Sequence, residues 1–406
     1  MPLVVQKYGG TSVGSAERIK AVARRVKNAR EQGNRVVVVV SAMGHKTDEL
    51  IALAKQVTDS PSDRELDLLL STGEVVSITL LAMALRSLGT AAISLTGGQA
   101  GIYTDNSHSR ASIVALEPSR LQRELERDQV VIVAGFQGIT EDMDITTLGR
   151  GGSDTTAVAL AAGLKADLCE IYTDVDGVFS ADPRLVSNAR QLRDISFDEM
   201  LELAQQGARV MHPRAVELGE VYGVPIMVRS SFNERPGTLI HGGELVEKKN
   251  KVRGIAHDLD VAKISVQGVP DRPGVASHLF TPLAEAGLNV STIVQNAGVD
   301  GLADVSFTVA RNDLGKALRI TGPVAHELGA RKVVSGDNLG KVSIVGSGIE
   351  NSPGAAAAMF RTLSEQRINI EMITTSQIRI SCVVEREKVF EAVEALHKTF
   401  ELDVPD

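Results

Sequence analysis

The sequence predicts an α/β protein: a mainly parallel sheet sandwiched by helices, followed by two ferredoxin-like βαββαβ units. Three observations carry that expectation. Up to about residue 240, short β-branched runs alternate with longer helical stretches, as in a parallel sheet covered on both faces. Two glycine turns, Gly9-Gly10 and residues 149–152, follow strand-like runs, and such sheets bind ligands beyond the carboxyl ends of their strands. Beyond residue 260 the sequence repeats itself. Lys263-Ile264-Ser265-Val266 matches Lys341-Val342-Ser343-Ile344, and the spacing from Pro273 to Asn289 equals that from Pro353 to Asn369.

Taken in order, Leu3-Val4-Val5 opens the first strand and runs into the turn Lys7-Tyr8-Gly9-Gly10-Thr11-Ser12. Residues 36–40, 91–95, 130–134, 168–172 and 225–229 are apolar runs of strand length. Residues 16–32, 64–88 and 198–206 carry helical periodicity, and the Ala-rich stretch 157–162, opened by Ser153 and Asp154, reads as another helix. Pro236-Gly237 and the charged stretch 247–251 end this part. The expected domains are therefore 1–245, a linker or first strand over 246–262, and repeat units over 263–336 and 337–406. Each repeat reads strand, Pro-Gly turn, helix, strand, strand, helix. Such a sheet leaves an edge and a face to cover, so the units are expected to pair with each other or across a dimer.

The chain has 406 residues, 43% hydrophobic and 23% charged, with a net charge of −8 and no basic arm. Neither nucleic acid nor an anionic membrane is an expected partner. Any anionic ligand must be attracted by local geometry against the overall sign. Cys169 and Cys382 stand far apart in apolar contexts, which reads as two buried thiols in a reducing compartment. The N-terminal stretch lacks the architecture of a secretion signal, and runs such as 36–40 are far too short to span a bilayer. A cytoplasmic location is expected.

The candidate chemistry clusters at the turns. Thr146-Thr147-Leu148-Gly149-Arg150-Gly151-Gly152-Ser153-Asp154 offers backbone N–H groups, a guanidinium fork and a helix N-terminus together, a combination suited to an anion. Lys7, where the first strand meets Gly9-Gly10, can reach a phosphate. Ser41 and Thr47 follow the strand at 36–40, where small hydroxyl residues fit a ligand rim. Glu74, amid Leu68, Leu69, Val75 and Val76, must reach solvent or pair with a cation, or it closes a capping box with Ser71 at a helix start. The acidic turns Thr173-Asp174-Val175-Asp176-Gly177 and Ala181-Asp182-Pro183-Arg184 can hold a nucleotide's base and ribose, or water around Mg²⁺, or be ordinary loop chemistry. Two anion cradles on one α/β domain point to phosphoryl transfer between two charged substrates.

Together these motifs resemble the aspartokinases of the amino-acid kinase superfamily. Lys7-Tyr8-Gly9-Gly10-Thr11-Ser12, Thr72-Gly73-Glu74, residues 147–154, Tyr172-Thr173-Asp174-Val175-Asp176-Gly177-Val178 and Gly207-Ala208-Arg209-Val210-Met211-His212-Pro213 stand in the family's order. The resemblance implies ATP and Mg²⁺, the metal held mainly through ATP. It implies Lys7, Arg150 and Asp154 as the catalytic centre. Lys7, Tyr8, Gly9, Gly10, Ser41, Ser153, Thr173, Asp174, Phe179, Asp182, Arg184, Arg209 and Val210 would bind ATP. Thr47, Glu74, Arg150, Gly151, Gly152 and Ser153 would bind L-aspartate, Glu74 at its α-ammonium and Arg150 at its α-carboxylate. Glutamate and acetylglutamate kinases, or a non-catalytic amino-acid sensor, are the alternatives weighed against this.

The paired repeats are similar to tandem ACT domains, which implies feedback inhibition by lysine, threonine or both. The effector residues implied are Asp271, Pro273, Gly274, Val275, Ala276, Asn289, Val290, Ser291 and Gln295. In the second unit they are Ala355, Ala356, Asn369, Ile370 and Ser376. That unit has Asn351-Ser352 where Asp271-Arg272 stands, so its ligand site is expected to differ. Assembly as a homo-oligomer through these units, or as α2β2 with an internally started small subunit, is implied.

Overall fold

A computed structural model describes residues 1–208, 210–242, 250–298, 301–350 and 352–404. Arg209, part of the expected linker and Asn351 lie outside the described residues. The chain divides into two compact units. The first comprises Met1–Phe179, Gln191–Gln205 and Arg209–Glu247; the second comprises Ser180–Arg190, Gln206–Ala208 and Lys248–Asp406.

The first unit begins β1 (Leu3–Tyr8), α1 (Ala16–Glu31), β2 (Arg35–Val40), α2 (Lys46–Val57), α3 (Asp63–Ser87) and β3 (Ala92–Leu95). It continues through β4 (Ile102–Thr104), β5 (Ile113–Leu116), α4 (Ser119–Glu126), β6 (Val130–Ala134), β7 (Gln137–Ile139) and β8 (Ile145–Thr147). Then come α5 (Gly152–Leu164), β9 (Leu168–Thr173), β10 (Asp194–Ser196), α6 (Phe197–Gln205), α7 (Pro213–Tyr222), β11 (Ile226–Ser230) and β12 (Thr238–His241). Among the described residues the main sheet runs β10-β12-β11-β9-β1-β2-β6-β3, with a second sheet β5-β4-β7-β8. Only the β11–β12 pair of the main sheet is antiparallel. Residues 36–40 are fully buried, as a central strand covered on both faces must be. α1 starts where the Ser15 hydroxyl accepts the Arg18 N–H, and it turns Ile19, Val22, Ala23 and Val26 into the core.

One expectation is corrected. Residues 71–74 lie inside α3, so the capping-box reading of Ser71 and Glu74 does not hold. Gly73 sits in mid-helix because a Cβ there would come within 2.8 Å of the Ala42 methyl. By length and composition α3 is apolar enough to cross a membrane, yet Leu70, Ile78, Leu81 and Leu85 are buried within the first unit.

The second unit contains β13 (Gly254–Pro270), α8 (Val275–Glu285), β14 (Thr292–Ala297), β15 (Leu302–Val309) and α9 (Leu314–Glu327). The second repeat follows with β16 (Lys332–Val345), α10 (Pro353–Glu365), β17 (Ile370–Ser376), β18 (Arg379–Glu385) and α11 (Val389–Thr399). Both repeats share one antiparallel sheet, ordered β14-β15-β13-β16-β18-β17. The long β13 serves both: Ala262 pairs with Val309 of β15, while Ile255 pairs with Ile344 of β16. The first repeat's core gathers Ile264, Val266, Leu279 and Phe307. The second takes Val252 and Ile255, which precede the first repeat, together with Val342, Ile344 and Leu363. Ala181 and Val186 belong to that same second core. The segment carrying them is fixed by Ser180, whose hydroxyl lies 2.9 Å from His397 Nε2.

Candidate active site

The rim of the first unit is built at the carboxyl ends of β1, β2 and β9. Alternation along β1 sends neighbouring side chains to opposite faces. Tyr8 is fully buried and stacks on Tyr172 at 4.7 Å between ring centres, and its carbonyl accepts the Ser41 N–H at 3.1 Å, so it ties the turns after β1 and β2 together. Lys7 Nζ meets Asp154 Oδ1 at 2.6 Å, with the two side chains 11% and 13% exposed. Asp154 stands in the first turn of α5, where the helix dipole favours a negative charge. Ser153, one residue earlier, accepts a hydrogen bond from the Ser41 hydroxyl at 3.0 Å. The turns after β1 and β2 pack backbone to backbone: Gly44 N–H donates to Gly10 O at 3.0 Å, and a Cβ on Gly10 would lie 2.8 Å from Ala42 O.

Glu74 is 2% exposed. Its Oε1 accepts the Ala42 N–H at 3.0 Å, while Oε2 has no hydrogen-bond partner among the described residues. Burial pushes its carboxyl up to about 7, against the opposing pull of the Ala42 bond. An orphaned buried carboxylate oxygen is costly, and an ammonium group would relieve it. A continuous path therefore joins the two charged centres: Glu74 to Ala42, next to Ser41, then Ser153, next to Asp154, then Lys7.

The glycine loop enters this rim from β8. Gly149 and Gly151 both take left-handed backbone, with φ of 74° and 70°. A Cβ on Gly151 would collide with the ring of His212, the residue that precedes α7. Burial lowers the His212 pKa, Asp154 opposing, and its Nδ1 has no partner among the described residues. Arg150, between the two glycines, is exposed.

Other expected residues fall as follows. Thr47 stands in the first turn of α2, half-buried. Thr173 O accepts both the N–H and the hydroxyl of Ser231, and the Thr173 hydroxyl bonds Asp174 at 3.2 Å. Phe179 bridges Gln191 within the first unit. Asp182 and Arg184 belong to the second unit, where the guanidinium forks onto the carboxylate at 3.0 and 2.7 Å and holds its pKa low. Val210 is half-buried in the turn before α7.

The effector candidates occupy matching places in the two repeats, at the turns into α8 and α10 and at or just before the edge strands β14 and β17. Gly274 caps α8 in left-handed backbone; Asp271, Pro273, Ala276, Asn289 and Gln295 are exposed. Val275 and Ala355 are core residues, so they can offer only backbone to a ligand. Ser291 bonds Thr308, Val290, Ala356 and Ile370 pack on the cores, Asn369 is exposed, and Ser376 ends β17.

Several residues that hold the rim were not singled out from the sequence. Asn233 donates to Asp176 at 2.7 Å and Arg235 pairs with the same carboxylate, fixing the acidic turn. Ser231 ties Thr173 to Ser12, and Arg214 bonds Leu148 O and Ala111 O. Only Asp67 carried a usable signal, as a carboxylate on an apolar helix.

Comparison with known proteins agrees with this geometry. Residues 2–230 match the amino acid kinase family, and residues 263–321 and 342–400 each match the ACT domain. Fold and rim together define an amino acid kinase with an ACT regulatory region. The sequence is 51% identical over 406 residues to an aspartate kinase of Stutzerimonas stutzeri, covering 100% of this chain and 98% of that one. Among solved structures it is similar to E. coli aspartokinase III in complex with aspartate and ADP, at 26% identity and TM-score 0.82, covering 98% and 99%. The same protein in complex with lysine and aspartate gives 26% identity and TM-score 0.76 over the same coverage. The chain belongs to the aspartokinase family.

Gly151→Ala strains the left-handed backbone and drives a methyl into His212. It is expected to lower the unfolding free energy by about 1–3 kcal/mol, read as a lower midpoint in urea; an unchanged midpoint would contradict the packing described.

Proposed function

We propose that this protein transfers the γ-phosphoryl group of ATP to the β-carboxylate of L-aspartate, giving 4-phospho-L-aspartate and ADP. This is the first step toward lysine, threonine and methionine, and we place it in the cytoplasm. The observation that carries the reading is the bonded path to the Lys7–Asp154 pair from the Glu74 carboxylate, whose other oxygen has no partner among the described residues, on one rim of a chain 51% identical over 406 residues to an aspartate kinase.

A β-carboxylate, with a reference pKa of roughly 3.9, is ionised at neutral pH and attacks phosphorus without a general base. The task left to the protein is to let two anions approach. Lys7 and the backbone of the Gly9-Gly10 turn take the phosphates, the Gly9 N–H itself being donated to Tyr172 O at 3.3 Å, with Ser41, Ser153, Thr173 and Asp174 around the nucleotide. Asp154 holds Lys7 in place and Arg150 takes the α-carboxylate of aspartate. Glu74 takes its α-ammonium, and Thr47, Gly151 and Gly152 line the acceptor. Positioning and electrostatic shielding are the main catalytic resources of phosphoryl transfer.

Asp154 is already engaged by Lys7, and a magnesium ion is proposed to be held mainly through the nucleotide phosphates, its usual mode, where it would neutralise charge. Phe179 and Val210 complete the proposed nucleotide contacts within the first unit; Asp182 and Arg184, expected there from the sequence, belong to the second unit, and Arg209 lies outside the described residues.

The ACT repeats are proposed to bind lysine, threonine or both through the turns before α8 and α10 and the edge strands β14 and β17. An effector acts by binding the less active arrangement better. Assembly through these repeats, as a homo-oligomer or as α2β2, is part of the proposal.

A hydroxylamine-trapping assay with ATP and Mg²⁺ tests the reaction. Aspartate is expected to give acyl phosphate and glutamate little; the reverse would make the protein a glutamate kinase, and no product with either would make it a sensor. Lys7→Ala is expected to lower kcat far more than it raises the aspartate KM, and near-normal turnover would remove Lys7 from the centre.

Glu74 supplies a pH test. Its raised pKa, about 7, means that the carboxylate needed by the ammonium is lost as pH falls through neutrality. The aspartate KM is expected to be roughly tenfold higher at pH 6 than at pH 8. Glu74→Gln should raise the KM and flatten that dependence, and an unaltered pH profile would assign the ammonium to another group.

A further inference from the structure

We infer that Asp67 is a positioning residue for the acceptor end of the site, acting through Thr147 on the loop that carries Arg150. The inference rests on the aspartate kinase reading above. Asp67 lies on α3, about two turns before Glu74, so both carboxylates are presented from one rigid helix. It is fully buried, and a lone buried carboxylate must find several donors to be tolerated.

The donors come from two loops. Asp67 Oδ1 accepts the Thr147 hydroxyl at 2.5 Å, and Oδ2 accepts the Thr147 N–H at 3.0 Å. Ser109 N–H reaches Oδ2 at 2.9 Å, and His108 Nδ1 lies 3.0 Å from the same oxygen. The following peptide is pinned as completely. Leu148 N–H donates to Phe136 O at 2.8 Å, Ala111 N–H donates to Thr147 O at 2.9 Å, and Arg214 donates to Leu148 O at 3.2 Å.

An anion thus holds the N–H side of this stem and a cation the carbonyl side. Immediately beyond, Gly149 and Gly151 have no side chains of their own to fix the loop. On its N-terminal side the place of Arg150 is set by the stem, and the stem is set against the helix that bears Glu74; on the other side Gly152 N–H closes onto Gly149 O at 3.0 Å. Asp67 keeps the two groups proposed to grip the α-carbon of aspartate at a constant separation, while the nucleotide half of the rim is built from other elements.

Thr147→Val removes one donor to Asp67 and keeps the side-chain shape; Thr147→Ser keeps the donor. Asp67→Asn is the direct variant, with the milder Thr147 pair covering the case in which it fails to fold. Thr147→Val is expected to raise the aspartate KM roughly tenfold, leaving the ATP KM within about twofold, with Thr147→Ser close to the parent enzyme. Hydrogen exchange should quicken in the peptide spanning 147–152 in the valine variant only. Aspartate and ATP KM rising together, an unchanged aspartate KM despite faster exchange, or unchanged exchange would each overturn the inference. A parent enzyme inactive toward aspartate would instead overturn the reaction assignment, and the exchange experiment would still test the clasp.

Discussion

The ion pair between Lys7 and Asp154 is the constraint around which the first unit's rim is arranged. A lysine at the end of a central parallel strand and an aspartate in the first turn of a helix are brought to 2.6 Å. Both are largely withdrawn from water, where a charge-assisted contact is strong and an abandoned partner costs about 3–5 kcal/mol. The pair can persist only if β1 and α5 keep their relative placement. Around it, glycines let neighbouring elements approach where a single Cβ would intervene. Gly10 against Ala42 O and Gly73 against the Ala42 methyl are two such approaches, and Ala42 also presents its N–H to Glu74. One small residue at the end of β2 thereby connects the proposed phosphate and acceptor ends.

The Glu74 environment shows the opposite use of burial. Where Asp154 has a cationic partner, Glu74 is left half-satisfied, and the cost appears as a carboxyl pushed up to about 7. Sites commonly hold such groups in waiting for a ligand of opposite charge. The two carboxylates on the rim thus have distinct environments and distinct proposed tasks, one structural toward Lys7 and one receptive toward an ammonium.

Much of the fold was legible because local patterning and global architecture agree. The buried run at residues 36–40, the helix opened by Ser153 and Asp154, and the repeat anchored by Pro273 and Pro353 each announce their element through composition and spacing. What escaped was long-range. Nothing in the periodicity of residues 252–256 tells that Val252 and Ile255 complete the second repeat's core while the rest of β13 serves the first, because strand pairing is not a local property. The same holds for Ala181 and Val186, flanking Asp182 and Arg184 yet buried among second-repeat residues. Ser71 and Glu74 satisfied the letter of a capping box, but the packing of Gly73 on Ala42 lets α3 run straight through. Within the site, Lys7, Glu74, Arg150 and Asp154 were found from turn chemistry and apolar context. Asp67, Arg214 and Ser231 were not, since their significance lies in carbonyls and N–H groups contributed by distant segments.

The central claim is that Lys7 and Arg150 serve one continuous cleft in which two anions meet. A crystal structure of the protein with a non-hydrolysable ATP analogue, Mg²⁺ and L-aspartate tests it most directly. The account predicts Lys7 Nζ on the terminal phosphate, Arg150 on the α-carboxylate, and the β-carboxylate facing the terminal phosphorus. Nucleotide and amino acid lodged in separate clefts, with Lys7 contacting neither, would contradict it.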